Sequence, residues 1–206
     1  MKSIARLISG IFHPYLIPFY GSIIFTAYSY LVGLPLILNI YIIGGILLFS
    51  GIFPTLFHAI YYLFFRNKEN VWAVVPRYEK FIYCIFLALC SIYLWRMNMP
   101  VWGKSFIIGS TMTAFVVWIS DLTHRPISAH MVALGTLWGL IYIIPGPLTL
   151  IPLNLIIVLI LATGATGTAR QLLQKENILQ TVIGLVGGFI TPPIVYQLLI
   201  SLTQTI

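Results

Sequence analysis

Charge is what this chain has least of. Only 7% of its 206 residues are Asp, Glu, Lys or Arg, where an ordinary soluble domain carries about 25%. Hydrophobic residues make up 60% and the mean hydropathy is +1.01. That balance excludes an ordinary soluble domain and implies an integral membrane protein. Acid is scarcer still, with four acidic residues against eleven basic ones and a net charge of +7. In a soluble protein the excess would suggest nucleic acid, but the interleaving of aromatic and basic residues that builds such a surface is missing. In a membrane chain it fits the cytoplasmic bias of Lys and Arg and the pull of anionic headgroups. Cysteine is nearly absent. Cys84 and Cys90 are six residues apart in one apolar segment, so they point to different helix faces and are expected to pack as small apolar groups. No small-residue cleavage site follows Met1–Ile11, so no removable signal peptide is expected. Low-complexity tracts and a polar soluble unit are also lacking, and residues 1–206 read as a single domain.

What is present is a series of apolar runs. At roughly 20 residues per crossing, the length suits six or seven helices. Lys2–Phe12 mixes basic and apolar positions and reads as a helix lying along the membrane surface. The spans are then expected at about Tyr15–Val32, Leu38–Phe65, Phe81–Trp95, Ser105–Ser120, His130–Ile144, Leu150–Thr168 and Ile178–Ile200. The second is longer than a ~30 Å hydrocarbon core needs, so a kink near Gly51–Pro54, tilt, or projection from the bilayer is expected to absorb the excess. Arg66–Lys80 and Arg170–Asn177 read as polar loops, and Pro145-Gly146-Pro147 as a turn. Glycines in spans two, five and seven allow close helix contact.

Ionisable chemistry gathers at one end. If all seven segments cross, the loops after spans two, four and six share a face with the N-terminus. That face holds nine of the eleven basic residues, all four acids, and His13, His124 and His130. Only Arg96 and Lys104 lie opposite. Two readings are open. One is topological, with the basic face in the cytoplasm. The other is a site for an anionic headgroup, because guanidinium forks match phosphate oxygens. The densest stretch is His124-Arg125-Pro126-Ile127-Ser128-Ala129-His130, with Asp121 just upstream.

The order of the polar motifs resembles the type 2 phosphatidic acid phosphatase superfamily, which includes undecaprenyl-pyrophosphate and lipid A phosphatases. Phe12-His13-Pro14 with Pro18 and Tyr20-Gly21, and Ile127-Ser128-Ala129-His130-Met131, look like a short bacterial branch of it. The resemblance covers nearly the whole chain. The family's first motif, Arg-x-x-Arg-x-x-Pro, is met by Arg77 and Lys80, with Tyr83 in the proline place. Its second, Ser-Gly-His, is met by Ser128 and His130, with Ala129 in the glycine place and Arg125 where a basic residue often precedes. Its third is Arg, five residues, then the nucleophilic His. Arg170 matches, but Glu176 stands in the histidine place, and no histidine follows His130. Gln180, Gly184 and Gly188 continue the pattern.

The resemblance implies an all-α integral membrane fold, a six-helix lipid-phosphatase-like bundle with one extra element. It implies phosphate binding by Arg77, Lys80, Arg125, Ser128 and Arg170. His130 takes the general-acid position, a role that suits imidazole near neutral pH. Ser128 also fits the N-cap of span five, at a helix N-terminus that favours an anion. Glu176 is expected to pair with Arg170, Arg125 or Lys80 rather than attack phosphate. The expected function is therefore that of a degenerate phosphatase that binds a phosphorylated lipid headgroup. The alternatives are a small assembly subunit of a larger membrane complex and an active lipid phosphatase with altered residues. No cofactor and no metal are implied. The expected location is the bacterial inner membrane, with the side of the polar face open. The expected partners are membrane lipids and other membrane proteins, not nucleic acid.

Overall fold

The structure, a computed structural model, describes residues 2–65, 71–144 and 152–204, with the backbone alone for Tyr30, Phe65 and residues 71–77. The described residues are helical, with no strand among them. In chain order the helices are α1 (Lys2–Ile11), α2 (Ile17–Ala27), α3 (Leu36–Leu47), α4 (Phe53–Phe65), α5 (Val71–Arg96), α6 (Val101–Leu122), α7 (Ala129–Ile143), α8 (Leu153–Leu172) and α9 (Ile178–Gln204). A 3-10 turn, Tyr30–Gly33, follows α2, and a π-helical turn, Leu48–Ile52, joins α3 to α4. Five stretches are long and apolar enough to cross a membrane: Leu36–Phe64, Tyr78–Arg96, and helices α6, α8 and α9. The chain is a multi-pass membrane protein. The Pro145-Gly146-Pro147 turn and residues 66–70 lie outside the described residues.

Several expected boundaries move, each for a local reason. The first span is shorter than Tyr15–Val32. Helix α2 has 11 residues, about 16 Å at 1.5 Å per residue, and does not reach across a ~30 Å core. Ser29 ends it. Its hydroxyl donates to the Phe25 carbonyl at 2.6 Å and accepts from the Leu31 amide at 3.2 Å, so it competes with the helical ladder. The third span is longer than Phe81–Trp95, because α5 begins at Val71. Residues 71–80 of the expected polar loop are helix, since Arg, Glu and Lys are good helix formers. Arg77, Glu79 and Lys80 thus stand on a helix, and the side chain of Arg77 lies outside the described residues. At the far end α8 runs on to Leu172, which puts Arg170 in its last turn.

The long second span breaks its regularity where Gly51 and Pro54 stand. The Phe53 amide bonds five residues back to the Leu48 carbonyl, a π-turn of the kind that interrupts long helices. Thr55 donates to the Gly51 and Ile52 carbonyls at 2.8 and 2.9 Å.

Helix α7 is buried along nearly its whole length and forms the centre of the molecule. It packs on α2, α6 and α9, with Phe25, Phe106, Leu134, Leu137 and Leu140 fully enclosed. The closest approach is to α9, where Gly135 meets Gly188, Gly139 lies against the Phe189 carbonyl, and Gly184 lies against the Ser128 carbonyl. Small residues four apart let helices meet without side chains between them. Helix α1 lies against α8 with Ala5 and Ser9 turned inward. Its outer face carries Ile4, Leu7 and Ile11, all exposed. Cys84 and Cys90 are buried free thiols on α5.

Candidate functional site

One end of the bundle encloses a cavity of about 290 Å³. Five parts of the chain build its wall. The α1–α2 connection supplies His13 and Tyr15, α5 supplies Glu79, Lys80 and Tyr83, and α6 supplies Asp121. The start of α7 supplies His130, and the α8–α9 junction supplies Arg170, Lys175, Glu176 and Gln180. Arg96 and Lys104 are remote from it, at the α5–α6 turn, where the Lys104 ammonium sits 4.6 Å from the Trp95 ring centre.

Local structure explains each position. Pro14 closes the turn after α1, and the Tyr83 hydroxyl donates to its carbonyl at 3.0 Å. Tyr83, in the place where the resembled motif has proline, therefore fixes the strap that carries His13 and Tyr15. Glu79 and Lys80 are neighbours near the start of the membrane-spanning part of α5. Glu79 accepts from the Tyr15 hydroxyl at 2.8 Å and lies 3.8 Å from His58 Nδ1. Lys80 donates to Asp121 across the α5–α6 contact. Ser128 caps α7, its hydroxyl accepting from the Met131 amide at 3.2 Å, and so directs His130 into the wall.

His130 Nε2 lies 3.2 Å from the Ser9 carbonyl and 3.1 Å from the Ser9 hydroxyl. A carbonyl only accepts, so Nε2 carries the proton. Nδ1 is then the lone-pair nitrogen, and it has no hydrogen-bond partner. The His13 ring lies 5.6 Å from that of His130, and its Nδ1 accepts from the Tyr15 amide at 3.4 Å. Arg170 grips Glu176 Oε1 through Nε at 2.9 Å and through its terminal nitrogen at 2.6 Å, and reaches Ser9 Oγ at 3.4 Å. Of the three partners that the sequence offers Glu176, the fold selects Arg170.

The expected phosphate ligands divide. Lys80 and Arg170 reach the cavity together with His130 and Glu176. Arg125 does not line it and is exposed on the α6–α7 loop. His124, held at φ 55°, is exposed beside it. Ser128 is 0% exposed with its hydroxyl spent on the cap, and does not line the cavity. Sequence reasoning missed Ser9, Tyr15, Glu79 and Lys175. Ala5 and Ser9, small and four apart, stand on the inward face of α1. Nothing local marks Tyr15 or Lys175. Among the described residues no cluster of His, Cys, Asp and Glu could hold a metal ion.

Burial shapes the protonation of the strap. His13 titrates below its ordinary 6.5, chiefly because burial disfavours the charged ring; Glu79 opposes the shift and Arg170 adds to it. Tyr15 is pushed well above 10, first by burial and then by Glu79, so its hydroxyl stays a donor. The His13 shift makes stability depend on pH. Above pH 6.5 both folded and unfolded chains hold it neutral, and it contributes nothing. Below 6.5 the unfolded chain takes up a proton that the folded one refuses, and stability falls until the folded value is reached. Acidification from pH 7 to about pH 5 is expected to lower the apparent unfolding temperature in detergent. In His13→Gln that fall is expected to be shallower, as scanning fluorimetry of the two proteins would measure.

In sum of charge, Lys80, Arg170 and Lys175 face Glu79, Asp121 and Glu176 across one small space. Such a wall offers paired donors and acceptors to a polar group, and the two histidines lie within it. No protein-family model, no curated protein and no solved structure matches this chain.

Proposed function

We propose that this chain is a phosphatidic-acid-phosphatase-like membrane protein of the bacterial inner membrane, a degenerate phosphatase that holds a phosphorylated lipid headgroup without hydrolysing it efficiently. Its bundle is read as the six-helix lipid-phosphatase core with one extra element. The observation that carries the reading is the Glu176 carboxylate on Arg170 in the cavity wall. A guanidinium that matches a phosphate-binding arginine already holds an anion, and that anion occupies the nucleophile's place in the sequence pattern.

Both histidines of the wall are held by local hydrogen bonds, although His130 Nδ1 keeps an unpartnered lone pair. Nδ1 of His13 is turned to the Tyr15 amide, and the proton of His130 is committed to the Ser9 carbonyl. General-acid catalysis needs that proton on the leaving oxygen. Loss of the covalent nucleophile removes most of such an enzyme's rate, on the order of 10⁶ in a well-studied protease.

The test is phosphate release from lipid phosphates by the protein in detergent. Wild type is expected to stay at the blank, and Glu176→His to gain release or a trappable phosphohistidine. Turnover by the wild type that disappears in His130→Ala would refute the reading.

A further inference from the structure

The cavity is balanced in charge, and the balance is uneven in how it is spent. Two cations on its wall are neutralised by neighbours, Lys80 by Asp121 and Arg170 by Glu176. What remains among the described residues of the wall is one group of each sign. Among the described residues Glu79 has no Lys or Arg within ion-pair distance; it has the neutral Tyr15 hydroxyl at 2.8 Å and His58 at 3.8 Å. Among the described residues Lys175 has no carboxylate within ion-pair distance. Buried polar capacity is also left over on the same wall, at His130 Nδ1 and Glu176 Oε2, and His130 is 7% exposed. Such atoms are usually partnered.

Building on the reading of a phosphorylated-headgroup site, we infer that the headgroup is a zwitterion, an aminoalkyl phosphate diester, with its ammonium on Glu79 and its phosphate toward Lys175 and the Arg170 edge. The physical reason is compensation. A phosphate monoester entering this cavity brings two negative charges beside Glu176 and Asp121, and among the described residues of the wall Lys175 is the unspent cation. Moving an uncompensated charge out of water is costly. A zwitterion brings none in sum and supplies the cation that, among the described residues, Glu79 lacks. An ammonium also recognises a carboxylate by charge-assisted hydrogen bonds, which are stronger than neutral ones. The same chemistry occurs on a membrane lipid and on a free glycerophosphodiester. The cavity lies against lipid-facing helices, so the lipid is the source named here.

The experiment is calorimetric titration of the detergent-solubilised full chain with short-chain phosphatidylethanolamine, phosphatidic acid and phosphatidylglycerol, and with soluble glycerophosphoethanolamine. Phosphatidylethanolamine is expected to bind tightest. Glu79→Gln is expected to weaken it about tenfold or more and to leave the two anionic lipids unchanged or tighter. Glu79→Asp keeps the charge and is expected to keep part of the preference, which separates lost recognition from a lost fold. Either anionic lipid binding as tightly as the zwitterion overturns the inference and leaves the headgroup site standing. A preference that Glu79→Gln does not change overturns it equally. Soluble glycerophosphoethanolamine binding as tightly as the lipid overturns the lipid as source. Binding of none of the four probes removes both the site and the inference.

Discussion

Gly188→Ala and Gly135→Ala are expected to destabilise the bundle by at least about 2 kcal/mol each, and to leave little folded protein in detergent. Two effects oppose each other at these positions. Alanine favours a helix over glycine by about 1 kcal/mol, which would stabilise. Against that, a Cβ on Gly188 would overlap the Val132 carbonyl oxygen and sit 2.9 Å from its carbon, with the Gly135 Cα at 3.0 Å. A Cβ on Gly135 would overlap the Leu185 carbonyl oxygen and sit 2.8 Å from the Phe189 nitrogen. These atoms are backbone of α7 and α9 and cannot swing aside, so the helices must part. Parting them moves His130 away from Ser9 and Gln180 away from the cavity, because α7 and α9 carry both ends of that wall. Gly187→Ala is the control. Nothing lies within 4 Å of the added carbon, so the propensity gain survives and the change is expected to be neutral or stabilising. Apparent unfolding temperatures of the three variants, with size-exclusion profiles, check the ordering.

The same contact illustrates what the sequence reveals. Glycines in spans five and seven announce a close helix pair, and hydropathy places the long spans α6, α8 and α9 within a few residues. The short elements are less legible. Nothing in an apolar run signals that Ser29 will bond back to Phe25 and stop α2 at Ala27, because a serine tolerated inside a helix and one that ends it look alike. The charges Arg77, Glu79 and Lys80 suggest a loop, yet the backbone that carries them is helical from Val71.

The site divides along the same line. Residues placed by the rhythm of long helices arrive where the motifs lead one to expect them, as Lys80, His130, Arg170 and Glu176 do. Residues on the α6–α7 loop do not. Arg125 and His124 follow the turn that Asp121 and Ser120 close with their carbonyls, and this turns them outward. Ser9 and Tyr15 belong to the site only because α1 docks on α8 and the strap crosses to α5, a tertiary fact with no local signal beyond the Ala5–Ser9 spacing.

Arg170→Leu is expected to cost about 3 kcal/mol or more, while Arg170→Leu combined with Glu176→Leu is expected to cost less than the single change. The side chains of Arg170 and Glu176 are 14% and 9% exposed, so the pair is mostly removed from water. Removing the guanidinium strands a carboxylate whose Oε2 already has no partner, and an uncompensated buried charge is what makes such single changes severe. Removing both ends the penalty, and an apolar replacement of a buried pair is often neutral or better. The non-additivity, read as a double-variant cycle of unfolding temperatures, measures the coupling directly. Glu176→Gln adds a functional arm. It keeps the shape, frees Arg170 and gives the cavity wall one positive charge in excess, since Lys80, Arg170 and Lys175 then face only Glu79 and Asp121. Headgroup preference is expected to move toward phosphatidic acid in that variant, even as stability falls. If the pair exists only to hold α8 to the α8–α9 turn, the cycle changes stability and leaves ligand preference alone. A shift of preference in Glu176→Gln would mean that the carboxylate sets which anion the arginine is free to take.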